Sequence, residues 1–129
     1  SYRFNDGEGL IHEDHCNSTV KDSRLTNNRG NAYISIYKCG RIDGLLVEGN
    51  DIRVDRGAAI MVVADRNSGR HPIRNVTIAN NTTRGGGITV AGQPAENVIV
   101  KGNTHQGSGG KIDEDAKAHV EDNKGYGST

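Results

Sequence analysis

Short apolar runs recur along this chain, and each is followed by a polar bend that ends in an asparagine or, once, a serine. The clearest copies are GLLVEGN at 44–50, NVTIANN at 75–81 and NVIVKGN at 97–103. Weaker copies lie at 18–23 and 118–123, and a partial copy opens the chain at 2–5. Because apolar residues alternate with others within the runs, the pattern predicts a β-strand with one buried face in every repeat.

The last residue of each copy, here called the anchor, sets the length of the repeat. The anchors are Asn5, Ser23, Asn50, Asn81, Asn103 and Asn123, with separations of 18, 27, 31, 22 and 20 residues. A repeat of about 20 residues that tolerates insertions is typical of a solenoid. Asparagine adopts the left-handed conformation of tight bends, and asparagines stacked at strand spacing can hydrogen-bond one another. We therefore expect Asn50, Asn81 and Asn103 to form a ladder through consecutive coils.

A second apolar run follows each bend, so we expect two strands in every coil. These runs are 9–11, 32–36, 59–63, 87–90 and 110–112. Alternation predicts that these side chains face the interior: Ile34, Ile36, Leu45, Val47, Ile60, Val62, Val76, Ile78, Ile88, Val90, Val98 and Val100. It predicts that Tyr33, Ser35, Met61 and Thr89 face outward.

Composition and charge limit the possible folds and binding partners. Only 33% of the residues are hydrophobic, with one Phe and no Trp, which is too little to fill a wide globular core. A solenoid needs only a narrow apolar stripe, because each coil covers its neighbour. Lys plus Arg and Asp plus Glu number 16 each, so no net field attracts nucleic acid or a membrane surface. No apolar run is long enough for a transmembrane helix.

The repeated strand, short bend and stacked asparagine resemble the right-handed parallel β-helix of the pectate-lyase-like superfamily. The resemblance implies an all-β, right-handed parallel β-helix solenoid of about six coils of 18–31 residues. Residues 1–129 would form a single domain, expected to be a segment of a longer solenoid because neither end has a recognisable polar cap. Further coils, end-to-end stacking or trimeric self-association would then complete it.

For function, the resemblance implies a carbohydrate-active protein, outside the cell or at its surface, that acts on an acidic or complex polysaccharide. The alternative is a non-catalytic solenoid module, such as a tailspike shaft, an adhesin or a scaffold segment. Whether the chain is an enzyme, and whether it is a lyase or a hydrolase, stays open at this point.

Candidate chemistry gathers where the second strands of three successive coils end. The densest cluster is HEDH at 12–15. Aligning the coils on their inward isoleucines stacks these residues: His12, Glu13, Asp14 and His15; Tyr37, Lys38 and Arg41; Asp65, Arg66 and His71. Ile34 can align with Leu10 or with Ile11, and a slip of one residue turns every side chain to the other face. Which of Glu13 and Asp14 faces outward is therefore open.

Two chemistries fit this cluster. Superfamily members that cleave uronic-acid polymers by elimination often use Lys or Arg as the base, with carboxylates holding calcium. The resemblance thus implies Lys38 or Arg66 as the base and Glu13 and Asp14 as calcium ligands.

Hydrolases instead need two carboxylates that flank the glycosidic bond, for which the candidates are Glu13, Asp14 and Asp65. The remaining members of the cluster would bind the polysaccharide: His12, His15, Tyr37, Arg41, Asp65 and His71. The competing interpretation is a solvated rim of charges at the strand ends.

The two cysteines, Cys16 and Cys39, are 23 residues apart, about one coil. Coils stacked about 4.8 Å apart would bring them within the usual Cα range of a disulfide. Packed, unbonded thiols are the other possibility.

Overall fold

The computed structural model describes the backbone of residues 11–14, 19–64 and 72–127, and the side chains of these residues apart from 11–14, 38 and 39. This part of the chain contains fourteen strands and no helix. The strands are β1 (Ile11–Asp14), β2 (Thr19–Thr26), β3 (Arg29–Gly30), β4 (Ile34–Cys39), β5 (Arg41–Glu48), β6 (Asp51–Arg53), β7 (Ile60–Ala64), β8 (Ile73–Ala79), β9 (Thr82–Arg84), β10 (Ile88–Ala91), β11 (Ala95–Lys101), β12 (Thr104–Gln106), β13 (Ile112–Asp115) and β14 (His119–Glu121).

The strands pair in parallel and form three sheets. The first sheet has the order β1-β4-β7-β10-β13, the second β2-β5-β8-β11-β14 and the third β3-β6-β9-β12. Successive coils therefore contribute one strand to each sheet in turn, which is the architecture of a parallel β-helix. The described residues contain five rungs of the first two sheets and four of the third. The predicted all-β solenoid is confirmed, and the copy at 2–5 lies outside the described residues.

The expectation of two strands per coil was wrong, because each coil adds a third strand directly after the asparagine bend. These third strands are only two or three residues long and largely polar. Such short segments show no clear alternation, so the sequence pattern does not reveal them.

Columns of aliphatic side chains fill the narrow interior. In the first sheet, an isoleucine occupies the same register position on all five described rungs: Ile11, Ile34, Ile60, Ile88 and Ile112. In the second sheet, Val76, Ile78 and Val100 are each 0% exposed. The predicted inward residues are thus confirmed. Ser35 occupies an outward position beside Met61 but is also buried.

A bend in the left-handed conformation ends every strand of the second sheet. The residues with positive φ at this bend are Asn27, Gly49, Asn80, Gly102 and Asp122, with φ from 56° to 72°. The residue after each of them is an inward-facing asparagine. Glycine and asparagine dominate this position because few other side chains adopt positive φ without strain.

The inward asparagines form the predicted ladder. Its members are Asn28, Asn50, Asn81, Asn103 and Asn123. Asn81 shows the repeating geometry: its Nδ2 donates to Asn103 Oδ1 at 2.9 Å and to the Val47 carbonyl at 3.0 Å. Its Oδ1 accepts from both the backbone N–H and the Nδ2 of Asn50, each at 2.9 Å. Each inner amide therefore forms four hydrogen bonds.

The anchor predicted at Ser23 was wrong, and Asn28 takes its place. Ser23 lies within β2 and pairs with Leu45, three residues before the end of the strand. Asp22 has a φ of 48°, so the local sequence imitates a bend followed by an anchor. Asp22 belongs instead to a second column of left-handed residues, which runs within or beside the strands of the second sheet. The next member of this column is Gly44, with a φ of 88°.

Candidate functional site

The ends of β1, β4 and β7 lie side by side, as the predicted cluster requires. Ile11 pairs with Ile34, so the alternative alignment of Leu10 with Ile34 does not occur. Asp14 consequently shares a register position with Tyr37, and Tyr37 with Val63 on the next rung.

Glu13 shares its register position with Ile36. The neighbours of Ile36 on the following rungs of the first sheet are Val62 and Val90. The backbone therefore assigns Asp14, and not Glu13, to the column that contains Tyr37.

Lys38 occupies a β-bulge. Tyr37 pairs with Val63, and Cys39 pairs with Ala64, so β4 has one residue more than β7 over this step. The extra residue is Lys38. A bulge leaves one residue out of the ladder and re-aims its side chain, and bulges are frequent next to active sites. Lys38, one of the two residues predicted to act as the base, is therefore the irregular residue near the ends of these strands.

The remaining predicted residues are placed only in part. Tyr37 is partly buried, and Arg41 is exposed at the start of β5, where it pairs with Thr19 in the second sheet. Arg41 is therefore separated from the first sheet by the turn at Gly40.

The side chains of His12, Glu13, Asp14 and Lys38, and the whole of His15, Asp65, Arg66 and His71, lie outside the described part. Their catalytic, substrate-binding and metal-binding roles stay predictions. The same holds for the cysteine pair, because Cys16 is not described and Cys39 is described only by its backbone.

Neither a metal site nor a membrane span is found in the described part of the chain. Among residues with described side chains, no group of three or more His, Cys, Asp or Glu is arranged to hold a metal ion. The calcium prediction depends on Glu13 and Asp14 and is not tested by this finding. No helix within the same residues is long and apolar enough to cross a membrane.

A small hollow of about 120 Å³ lies where strands of the first sheet begin. Its polar side chains include Thr89, Lys111 and Asp113. Much of its lining is glycine, and coil stacking explains part of this: a Cβ on Gly86 would overlap the carbonyl oxygen of Gly57. The glycines therefore permit close approach of neighbouring coils, and they leave a backbone-lined surface beside the outward side chains of the sheet.

An interior polar cluster closes the core near the last described coil. It consists of Thr83, His105 and Tyr126. Thr83 Oγ1 is hydrogen-bonded to His105 Nδ1 and to the Tyr126 hydroxyl, both at 2.8 Å. The two rings pack with their centroids 5.3 Å apart. Burial raises the pKa of Tyr126 above its ordinary value of 10.0, and the hydrogen bond from Thr83 opposes part of this rise.

Sequence reasoning missed one group of charged residues on the third sheet. Arg29, Arg53 and Arg84 surround a hollow of about 280 Å³, together with Asp51. The sequence pattern does not predict the third strands, so it does not show that these arginines lie on adjacent rungs.

No protein-family model matches the chain, and neither a curated protein nor a solved structure matched it in comparison. The parallel β-helix assignment therefore depends on the strand pairing and the asparagine ladder.

Proposed function

We propose that this protein is a carbohydrate-active β-helix that cleaves or modifies an acidic or complex polysaccharide where the strands of the first sheet end. The observation that carries the proposal is the bulge at Lys38, beside the register column of Asp14 and Tyr37. Solenoid coils repeat about every 4.8 Å, so their side offers an extended surface that suits a polymer. Membership in the pectate-lyase-like superfamily and a location outside the cell or at its surface belong to this proposal.

The chemistry that best uses a lysine at this position is elimination from a uronate. The neutral Lys38 amine would take the C5 proton, a double bond would form between C4 and C5, and the C4–O bond would break with its electron pair leaving on oxygen. Positive charge beside the sugar carboxylate lowers the energy of the carbanion-like transition state. Arg66, or a calcium ion with Asp14 among its ligands, is the proposed source of that charge. Glu13 occupies the register column of the interior residue Ile36.

The test is a screen of uronic-acid and neutral polysaccharides, followed by variants on the substrate that is cleaved. Lys38→Ala should abolish the ultraviolet absorbance of unsaturated products. The matched control is Lys101→Ala, since Lys101 is exposed at the end of β11 and pairs with Ala79 and Glu121 in the second sheet. This control should keep full activity and the same melting temperature.

A hydrolase would give a different result. Reducing ends would appear without ultraviolet absorbance, and Glu13→Gln or Asp14→Asn would abolish their release. If activity survives all three substitutions, at Lys38, Glu13 and Asp14, the cluster is a solvated rim and the proposal fails.

The second candidate is a non-catalytic solenoid module, and the ladder favours it. A continuous ladder of hydrogen-bonded amides through five successive coils makes a stiff shaft. A module of this kind would bind a glycan or self-associate without turnover. Light scattering to determine the oligomeric state, combined with glycan binding in the absence of product, would distinguish it from the enzyme.

A further inference from the structure

The third sheet has a concentration of positive charge that the chain as a whole lacks. Its hollow is lined by Arg29, Gly30, Asn31, Asp51, Arg53 and Arg84. Three guanidinium groups and one carboxylate give this surface two excess positive charges, although the sequence has 16 basic and 16 acidic residues in total. Hereafter this surface is called the arginine hollow.

Two of the arginines are direct neighbours across the ladder. Arg53 in β6 pairs with Arg84 in β9, so their backbones are one rung apart. Like charges directly opposite each other in a sheet are destabilising. Such a pair is unfavourable in the free protein, and an anion between the two groups would reverse the sign of the interaction.

The hollow's own carboxylate does not neutralise this pair. Asp51 pairs with Arg29 in the ladder, and the Asp51 Oδ2 lies 3.8 Å from the Arg29 Nε. The Nε of Arg84 is buried and has no hydrogen-bond partner among the described residues. A buried donor without an acceptor is costly, so the site has both unbalanced charge and an unused donor.

We propose that the arginine hollow binds a tetrahedral oxyanion, sulfate or phosphate, either as the free ion or as an ester group on a glycan. The planar guanidinium group matches such oxyanions with paired N–H donors. Free sulfate and a phosphate ester carry about two negative charges and match the excess charge of the hollow, whereas a sulfate ester carries one and neutralises half of it. This site lies on the third sheet and is independent of the proposed reaction at the first sheet.

The experiment is calorimetric titration of the whole protein with sodium sulfate, with sodium chloride adjusted to keep the ionic strength constant. The wild type should bind one sulfate saturably, and Arg53→Gln and Arg84→Gln should each weaken binding at least about tenfold, since each removes a hydrogen bond to a charged group. The matched control is Arg24→Gln, because Arg24 is exposed in the second sheet and pairs with Leu46. It should leave the affinity unchanged within about twofold.

Melting temperatures provide a second readout that a general salt effect would not reproduce. Without sulfate, Arg53→Gln should melt at the same temperature as the wild type or higher, because a like-charge contact is removed. With sulfate, the wild type should gain stability while Arg53→Gln should not. No saturable binding by the wild type, or equal loss in Arg24→Gln and Arg53→Gln, would overturn the proposal.

The source of the anion is assigned by a parallel titration with a sulfated oligosaccharide. Tighter binding of the oligosaccharide than of inorganic sulfate, lost in Arg84→Gln, assigns the site to a glycan ester. Tighter binding of inorganic sulfate assigns it to the free ion.

Discussion

The asparagine ladder should be worth several kcal/mol at a single position, and Asn81→Ala measures this. Asn81 is 1% exposed, and its neighbours Asn50 and Asn103 are 1% and 0% exposed, so water cannot replace the lost amide without rearrangement. Truncation to alanine leaves two buried donors of Asn50 without their acceptor, the backbone N–H and one Nδ2 hydrogen. At about 1–3 kcal/mol for each buried donor, the expected loss is about 2–6 kcal/mol.

Urea unfolding followed by circular dichroism gives the free energy of unfolding for this comparison. The control is Asn31→Ala, an identical truncation at an exposed position outside the strands, which should cost less than about 0.5 kcal/mol. Asn123→Ala should fall between the two, because its amide is only partly buried and forms three bonds instead of four. Equal losses for Asn81→Ala and Asn31→Ala would refute the argument that the ladder stabilises the solenoid.

Two further predictions concern the core and its polar end. Val100→Ala should lower the free energy of unfolding by about 1–3 kcal/mol in urea, since Val100 is 0% exposed; an unchanged value would contradict its packing between coils. The raised pKa of Tyr126 means that the folded state holds this proton more tightly than the unfolded state. Its contribution to stability is therefore complete below the unfolded pKa of 10.0 and is lost as the pH rises through the higher folded pKa. Thermal melts across this alkaline range should show a steeper loss for the wild type than for Tyr126→Phe, and parallel curves would contradict it.

The sequence was sufficient to predict the first two sheets, because most of their strands alternate Val, Ile or Leu with outward residues over four to eight positions. The ladder was also predictable, since each of its asparagines follows a strand of the second sheet after a single bend residue. The prediction of Ser23 as an anchor was wrong because Lys21-Asp22-Ser23 has the polar sequence of a bend, although these residues lie within β2. The sequence of β2 alone does not show to which of the two left-handed columns a residue belongs. The pairing of β2 with β5 does show it.

The irregular and functional features were harder to predict, because they depend on neighbouring coils. The bulge at Lys38 exists only relative to β7. Arg53 and Arg84 are 31 residues apart in the sequence and become neighbours because an insertion between them leaves the rungs in register. His105 is a polar residue at an inward position, and its partner Tyr126 comes from the segment after the last strand. Alternation alone predicts an apolar residue there.

Both proposed sites require that residues about one coil apart in sequence are stacked in the observed strand register. Disulfide mapping in a variant with Cys16 and Cys39 replaced by serine tests this most directly. Thr77 pairs with Leu46 on one side and Ile99 on the other, and all three side chains are only partly buried. The Cα atoms of paired residues should be about 4.8 Å apart, within the range of a disulfide.

Mass spectrometry after mild oxidation should therefore show a cross-link in the Thr77→Cys, Ile99→Cys variant. The Leu46→Cys, Ile99→Cys variant should remain reduced, because these positions are two rungs apart, at about twice that distance. A cross-link in the second variant but not in the first would contradict the register and, with it, the placement of both sites.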